Sequence, residues 1–461
     1  MDRRIHAFFE SIKGKTVAFC GIGGSNLPLI RMFAEKGALV TARDRRSAEA
    51  LGETADLLRG LGVTLVLGEN YLSGLTEDII FRTPGMKYGL PELSAARARG
   101  AAVTSEMEVF FDLCPCKIYA VTGSDGKTTT TSIIAELLRA AGKKVHLGGN
   151  IGHPLLPDIE EISPDDIAVV ELSSFQLISM RKSPDVAVVT NLSPNHLDVH
   201  GSMDEYIGAK KNILAHQGAF SRTVLNADNE TTCGFSKDVR GELLLFSRQT
   251  SCEHGVFLRK DGWIVHAPSG TEILRAQEIK IPGLHNIENY LAAIAAVWGE
   301  VPPETIRMVA RAFGGVPHRA ELVRVLDGVS YYNDSIGTSP TRTIRGTLSL
   351  YPQKIILIAG GYDKKIPFDP LGPAVVEHVR LLILMGATAG KIEAAVKAAS
   401  GYREGNPEIL HASSMEEAVA LAHQYAHEGD VVSLSPACAS FDLYPNFEVR
   451  GDHFKQLVHA L

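Results

Sequence analysis

Short apolar runs, bounded by turn residues, alternate with longer amphipathic stretches along almost the whole chain. Such runs read as buried strands and the stretches between them as helices, so the pattern predicts parallel α/β sheets. Thr16–Cys20 predicts a first strand, Gly21-Ile-Gly-Gly-Ser-Asn26 a turn, residues 27–36 a helix, and 39–42 a second strand running into Asp44. A second succession follows, with a strand at 118–121, a loop holding Gly123 and Gly126, and a helix at 132–141. Further strands are expected at Ile167–Glu171, 186–190, 354–359, 380–385 and Val431–Leu434. A helix is expected at 415–427, with Ser413 and Ser414 as caps and Glu416 and Glu417 in its first turn. The polar, β-rich stretch 223–281 predicts a local sheet that covers part of its domain.

At 461 residues the chain is too long for one core, so several domains are expected. Cys114-Pro115-Cys116 interrupts the pattern, and Gly314-Gly-Val-Pro317 reads as a linker, which divides the chain into 1–115, 116–316 and 317–461. Apolar residues make up 45% and charged residues 21%, as in an ordinary globular protein. The net charge of −7 leaves no footprint for nucleic acid, and a phosphate-rich ligand must be gripped by local basic groups. Six cysteines are scattered, and no pair has zinc spacing, so free thiols in a reducing cytoplasm are expected. Residues 1–15 are charged and lack an apolar core, which excludes a signal peptide, and no apolar run has the length of a membrane span.

The chemistry concentrates at strand ends. Val121-Thr-Gly123-Ser124-Asp125-Gly126-Lys127-Thr128-Thr129 joins a strand to a helix. Its glycines let backbone N–H groups approach phosphate oxygens, Lys127 reaches the β- and γ-phosphates, and the Thr128 hydroxyl suits Mg²⁺. The first glycine of the longer phosphate loop is replaced by Val121, so this is a shortened Gly-x-x-Gly-Lys-Thr form. Glu171 ends a strand, where a carboxylate can hold the same Mg²⁺ or stand solvated, and Ser173 and Gln176 follow as polar groups able to orient a substrate. His196 and Asp198 lie past another strand and are candidates for a second metal. Spacing alone gives Lys210 no role beyond a surface charge. Asn286 and Asn289 share a helix face and suit either a base edge or an N-cap, and Arg319 suits a γ-phosphate clamp. Asn333-Asp334-Ser335, Gly360-Gly-Tyr-Asp363-Lys364 and Ser435 to Phe441 end three strands and suggest a third domain forming one rim of a cleft. The Gly21 turn, with Asp44 at 23 residues' distance, fits a dinucleotide site or a plain strand–helix turn; its third glycine position holds Asn26.

In that order, Thr122 to Thr128, Gly149-Asn150-Ile-Gly152, Glu171 to Gln176, Asn191 through His196 to Asp198, Tyr206 to Lys210, His285-Asn286, His318-Arg319 and Asn333-Asp334-Ser335 resemble the Mur ligases over nearly the whole chain. Leu434-Ser-Pro-Ala-Cys-Ala-Ser440-Phe, Thr83-Pro84-Gly85 and the opening turn resemble the branch that adds D-glutamate; the Asp-Asn-Pro-Arg signature of the diaminopimelate-adding branch is absent. The resemblance implies a cytoplasmic enzyme of peptidoglycan synthesis: a Rossmann-like domain for a UDP-sugar, a central P-loop domain for ATP and a C-terminal Rossmann-like domain for D-glutamate. It also implies that Ser25, Asp44 and Arg46 hold the uridine diphosphate, Pro84 and Gly85 lie near uracil, and Asn150, Ser173 and His196 meet the muramoyl group of UDP-N-acetylmuramoyl-L-alanine. Thr128 and Glu171 would hold one Mg²⁺, and His196 with a carbamylated Lys210 a second. Asn286 and Asn289 would meet adenine, Arg319 the phosphates and Asp334 the ribose. Thr338, Lys364, Ser440 and Phe447 would frame D-glutamate, with Phe441 beside them, and a monomer would suffice. One departure concerns the lysine that commonly follows Asn-Asp-Ser, which here is Ile336. Another amino-acid-adding ligase of the family, folylpolyglutamate synthases included, a nicotinamide-dependent oxidoreductase and a non-catalytic nucleotide-binding module stand as alternatives.

Overall fold

The structure is a computed structural model and describes residues 2–193 and 202–461. It divides into two compact units, Met1–Glu278 with Ile287–Val309, and Ile279–Asn286 with Ala310–Leu461.

The first unit holds two sheets. One runs Thr64–Leu67, Leu39–Asp44, Thr16–Cys20, Ile79–Arg82, Ala102–Thr104, parallel throughout. Its central strands are buried on both faces, which explains why they read as unbroken apolar runs and not as alternating ones. Phe19 stacks on Phe81 at 4.7 Å, and Phe33 meets both rings edge-on. The second sheet runs Thr271–Arg275, Trp263–His266, Gly255–Leu258, Glu242–Ser247, Arg222–Asn226, Val186–Val189, Lys117–Thr122, Ile167–Glu171, Val145–Gly149. The part from Gly255–Leu258 to Val145–Gly149 is parallel, and the last two pairings at the other edge are antiparallel. The stretch 223–281 therefore prolongs this sheet and does not form a separate covering. One apolar core continues from Phe19 of the first sheet and Phe33 of the helix Leu27–Glu35 through Phe110 and Ile118 to Leu225 of the second sheet.

The second unit carries a sheet ordered Glu321–Leu326, Val329–Asn333, Val431–Leu434, Ile355–Ala359, Val379–Leu384, Glu408–His411. The first pairing is an antiparallel hairpin and the others are parallel. Separate apolar clusters cover its two faces. The strands Val329–Asn333, Val431–Leu434 and Ile355–Ala359 are neighbours, so their following loops gather at one carboxyl edge, the usual ligand edge of an open α/β sheet. The helix expected at 415–427 is Met415–Tyr425, capped by Ser414.

Candidate functional site

The phosphate loop is built by sterics. Gly123 has φ 151° and Gly126 φ 77°, backbone that glycine adopts without cost. A Cβ on Gly123 would collide with Thr190 Oγ1, and one on Gly126 with Asn289 Oδ1. The helix after the loop is Lys127–Ala140, starting five residues before the apolar pattern does, so Lys127, Thr128 and Thr129 form its first turn. That end presents N–H groups that have no partner inside the helix. The loop is braced from the end of the neighbouring strand and from a helix: Asn191 Oδ1 accepts from the Asp125 N–H (2.9 Å), Thr190 Oγ1 donates to the Asp125 carbonyl (2.6 Å), and the hydroxyls of Ser124 and of Tyr206, in the helix Met203–Ala215, share a hydrogen bond of 2.9 Å. Lys127 Nζ donates to the Ser124 carbonyl at 3.0 Å, folded back over its own loop. Asn289 reaches the same region, its Oδ1 accepting from Thr130 Oγ1 at 3.2 Å.

Beside the loop, Glu171 is 2% exposed. Its Oε1 accepts from Asn150 Nδ2 at 2.6 Å, and its buried Oε2 has no hydrogen-bond partner. Gly149, with φ 98°, lies against the Glu171 carbonyl and allows this approach. Lys210, from the helix Met203–Ala215, is also 2% exposed; its Nζ donates to Thr122 Oγ1 at 3.2 Å and stands 5.0 Å from the centre of the Tyr206 ring. Burial lowers its pKa to about 7, the Lys127 charge adds to the fall, and Glu171 opposes it. An unpartnered buried carboxylate oxygen beside a phosphate loop and the Thr128 hydroxyl fits Mg²⁺, which takes one or two carboxylates and otherwise phosphate or water oxygens. Among the described residues no group of three or more His, Cys, Asp and Glu gathers. His196 and Asp198 lie outside the described residues.

Ser173 and Gln176 form a reciprocal capping box at the start of Ser174–Leu177. Ser173 N–H and Oγ both donate to Gln176 Oε1 at 2.9 Å. This fixes the turn directly after Glu171-Leu172. In the opening turn, Asp44 accepts from the Ile22 N–H (2.7 Å) and from Arg46 Nε and Nη2 (2.9 Å each). Burial alone would raise its pKa, but the Arg46 and backbone hydrogen bonds prevail and hold it at about 2. Asn26 sits where the third glycine of a dinucleotide loop is expected and donates through Nδ2 to the Gly21 carbonyl at 3.0 Å. Ser25 and Pro84 are half-buried and Gly85 exposed along the same carboxyl edge.

In the second unit, His318 has φ 62° and packs edge-on against Phe447, its Nδ1 3.0 Å from Asn333 Nδ2. The turn it makes sets Arg319 beside Asp334. Burial raises the Asp334 pKa, against hydrogen bonds from Ser435 and Thr347 and the Arg319 charge. Asp334 Oδ2 accepts from Ser435 Oγ (2.7 Å) and Thr347 Oγ1 (2.8 Å). Lys364 Nζ donates to the Thr338 carbonyl at 3.2 Å, which joins two of the residues expected to meet D-glutamate. Ser440 is buried nearby, while Phe441 is exposed and edge-on to Tyr362 at 5.9 Å. Asn286 lies on the 279–286 segment of this unit, its Nδ2 donating to the Pro282 carbonyl at 2.5 Å.

Family comparisons agree over both units. Residues 121–297 match the Mur ligase middle domain and 318–438 the Mur ligase glutamate ligase domain. A UDP-N-acetylmuramoylalanine–D-glutamate ligase from Acetivibrio thermocellus is 52% identical over 466 residues, covering 100% of both chains. One of the same name from Ruminiclostridium cellulolyticum is 50% identical over 465 residues, again covering 100% of both. This chain belongs to the Mur ligase family. Its fold is also that of the UDP-N-acetylmuramate-alanine ligase of Thermotoga maritima, with a TM-score of 0.58 at 19% identity, covering 97% of this chain and 99% of that one.

Two arginines of this Mur ligase escaped the reading of its sequence. Arg82, almost fully buried, donates to the Met86 carbonyl (3.2 Å), the Phe175 carbonyl (2.9 Å) and Ser179 Oγ (2.7 Å). It ties the turn at Pro84 and Gly85 to the helix capped by Ser173. Arg450 donates to the Ser335 hydroxyl and carbonyl and to the Cys438 and Ala439 carbonyls, joining two of the strand-end loops. Each combines near partners with others far away in sequence, Phe175 and Ser179 for Arg82 and Ser335 for Arg450, and no spacing rule marks such an arginine.

Proposed function

We propose that this Mur ligase joins D-glutamate to UDP-N-acetylmuramoyl-L-alanine with ATP cleavage to ADP and phosphate. The observation that carries the choice of substrates is end-to-end identity of about half with relatives named for that reaction. The phosphate loop, the buried Glu171 and the buried Lys210 support the ATP half, and the Lys364–Thr338 contact supports the amino-acid half. Functionally we assign residues 1–115 to the UDP-sugar, 116–316 to ATP and 317–461 to D-glutamate.

A carboxylate is too poor an electrophile to condense with an amine in water. The terminal carboxylate oxygen of the UDP-substrate attacks the γ-phosphorus, the bond to the β-phosphate oxygen breaks, and ADP leaves an acyl phosphate. The D-glutamate amine then attacks the acyl carbon, loses a proton, and expels phosphate as the amide forms. The protein's share is positioning and charge stabilisation. Backbone N–H groups of Ser124 to Thr129 cradle the phosphates, and Lys127 and Arg319 neutralise charge that grows on the γ-phosphoryl group. Asn286 and Asn289 hold adenine, and Asp334 the ribose. Ser25, Asp44, Arg46, Pro84 and Gly85 take the uridine diphosphate; Asn150, Ser173, Gln176 and His196 take the muramoyl end. Bound Mg²⁺ would supply charge neutralisation at the phosphates; Thr128 and Glu171 would hold it, and His196 with a carbamylated Lys210 would hold a second ion.

Lys210 meets the chemical condition for carbamylation. The neutral amine attacks CO₂, the ammonium does not, and a pKa of about 7 leaves much free amine near neutrality. The carbamate turns a cation into an oxygen ligand. The decisive assay is ATP-dependent phosphate release with UDP-N-acetylmuramoyl-L-alanine across a panel of amino acids. The proposal expects turnover and a joined product with D-glutamate; turnover only with another amino acid removes it.

A further inference from the structure

Ile336 carries no charge, yet the loop around it is flanked by two cations. Arg342, in the short helix Pro340–Thr343, donates from Nη1 to the Ile336 carbonyl at 3.2 Å. Lys364, from the loop after Ile355–Ala359, donates to the Thr338 carbonyl at 3.2 Å. Both side chains are exposed, and among the described residues neither forms an ion pair. The nearby acids are engaged elsewhere. Asp363 pairs with Lys391 (2.5 Å), Asp334 Oδ2 accepts from Ser435 and Thr347, and Asp442 accepts from the Ala387 N–H (3.0 Å).

The loop is a fixed frame. The Ile336 carbonyl also accepts from the Thr338 N–H (2.8 Å), the Gly337 N–H donates to the Asp334 carbonyl (2.8 Å), and the Ile336 N–H donates to the His318 carbonyl (3.1 Å). A Cβ on Gly337 would stand 2.8 Å from both Asp334 Oδ2 and Ser435 Oγ. The two anchoring carbonyls are two residues apart, at most about 7 Å of chain, a span that a five-carbon dicarboxylate can bridge. Each cation uses one N–H on its carbonyl. The guanidinium keeps an edge free for a bidentate carboxylate, and the ammonium keeps two donors.

We propose that Arg342 adds a second cationic contact to the amino-acid site beside Lys364 and sets the preference for glutamate over its neutral amide. This rests on the D-glutamate reading above. In Arg342→Ala, the KM for D-glutamate rises roughly 10- to 100-fold, the loss of a charge-assisted contact. Discrimination against D-glutamine falls by a similar factor, while the KM values for ATP and the UDP-substrate and the melting temperature stay as in wild type. Arg342→Gln, which keeps a donor for the Ile336 carbonyl, shows the same loss; Arg342→Lys recovers part of it, and added guanidinium ion partly restores Arg342→Ala. Unchanged D-glutamate KM and unchanged discrimination in Arg342→Ala and Arg342→Gln overturn the proposal while leaving the ligase reading intact. A wild type that ligates no D-glutamate overturns both.

Discussion

Lys210 and Lys211 adjoin on one helix and look alike in the sequence. Lys211 reaches Asp238 at 2.7 Å near the surface, whereas Lys210 turns into the core beneath Thr122. Helical periodicity assigns faces, but it does not say which face lies over a phosphate loop. The role proposed for Lys210 therefore rests on family resemblance, and its burial supplies a physical reason for it. Because the amine must be neutral to take up CO₂, ligation should fall as pH drops through about 7 and should depend on dissolved CO₂. Lys210→Ala should lose ligation at every pH and regain part of it with a short carboxylate such as formate. A fully active alanine variant, or a CO₂-independent wild type, sinks the assignment. By contrast, the strand–loop–helix around Gly123 and Gly126 was legible in the sequence, because glycine, lysine and threonine at that spacing have few other uses between a strand and a helix.

The parallel strands were readable because burial on both faces leaves continuous apolar runs such as Ile355–Ala359. The hairpin strands of 223–281 were found, but not their place, since alternation is the same whichever sheet a strand joins. Contacts between distant elements were least visible. Glu106 follows the cap Ser105 and reads as an ordinary first-turn acid. Instead it is buried and accepts from the Leu155 and Leu156 N–H groups at 2.9 Å each, holding the chain that follows Asn150. Burial raises its pKa to about 7 against those two hydrogen bonds, from 4.5 for a free glutamate. Between these values the folded chain holds the extra proton, so the stability Glu106 contributes is complete below 4.5 and lost as pH rises through 7. Glu106→Gln, which cannot ionise, should match wild type in melting temperature near pH 4.5 and exceed it above 7. A gap that does not change with pH would mean that Glu106 does not titrate in this range.

Taken as one molecule, the chain is acidic yet handles anionic ligands, so each must be held by cations placed locally. The cations proposed for them divide between the units: Lys127 and Arg46 in the first, Arg319, Arg342 and Lys364 in the second. The reaction divides in a related way. Acyl phosphate formation needs ATP and the UDP-substrate only, and D-glutamate enters afterwards. Arg319 is the exception, a second-unit residue assigned to the phosphates. Substrate-dependent exchange between ADP and ATP, measured without D-glutamate, isolates the first step. In Lys364→Ala this exchange should continue close to the wild-type rate while ligation at low D-glutamate falls roughly 10- to 100-fold. Lys127→Ala and Arg319→Ala should lose exchange and ligation together, with the UDP-substrate still bound by Lys127→Ala. If Lys364→Ala loses exchange as completely as Lys127→Ala, Lys364 serves the phosphoryl transfer, and the assignment of the amino acid to its loop is wrong.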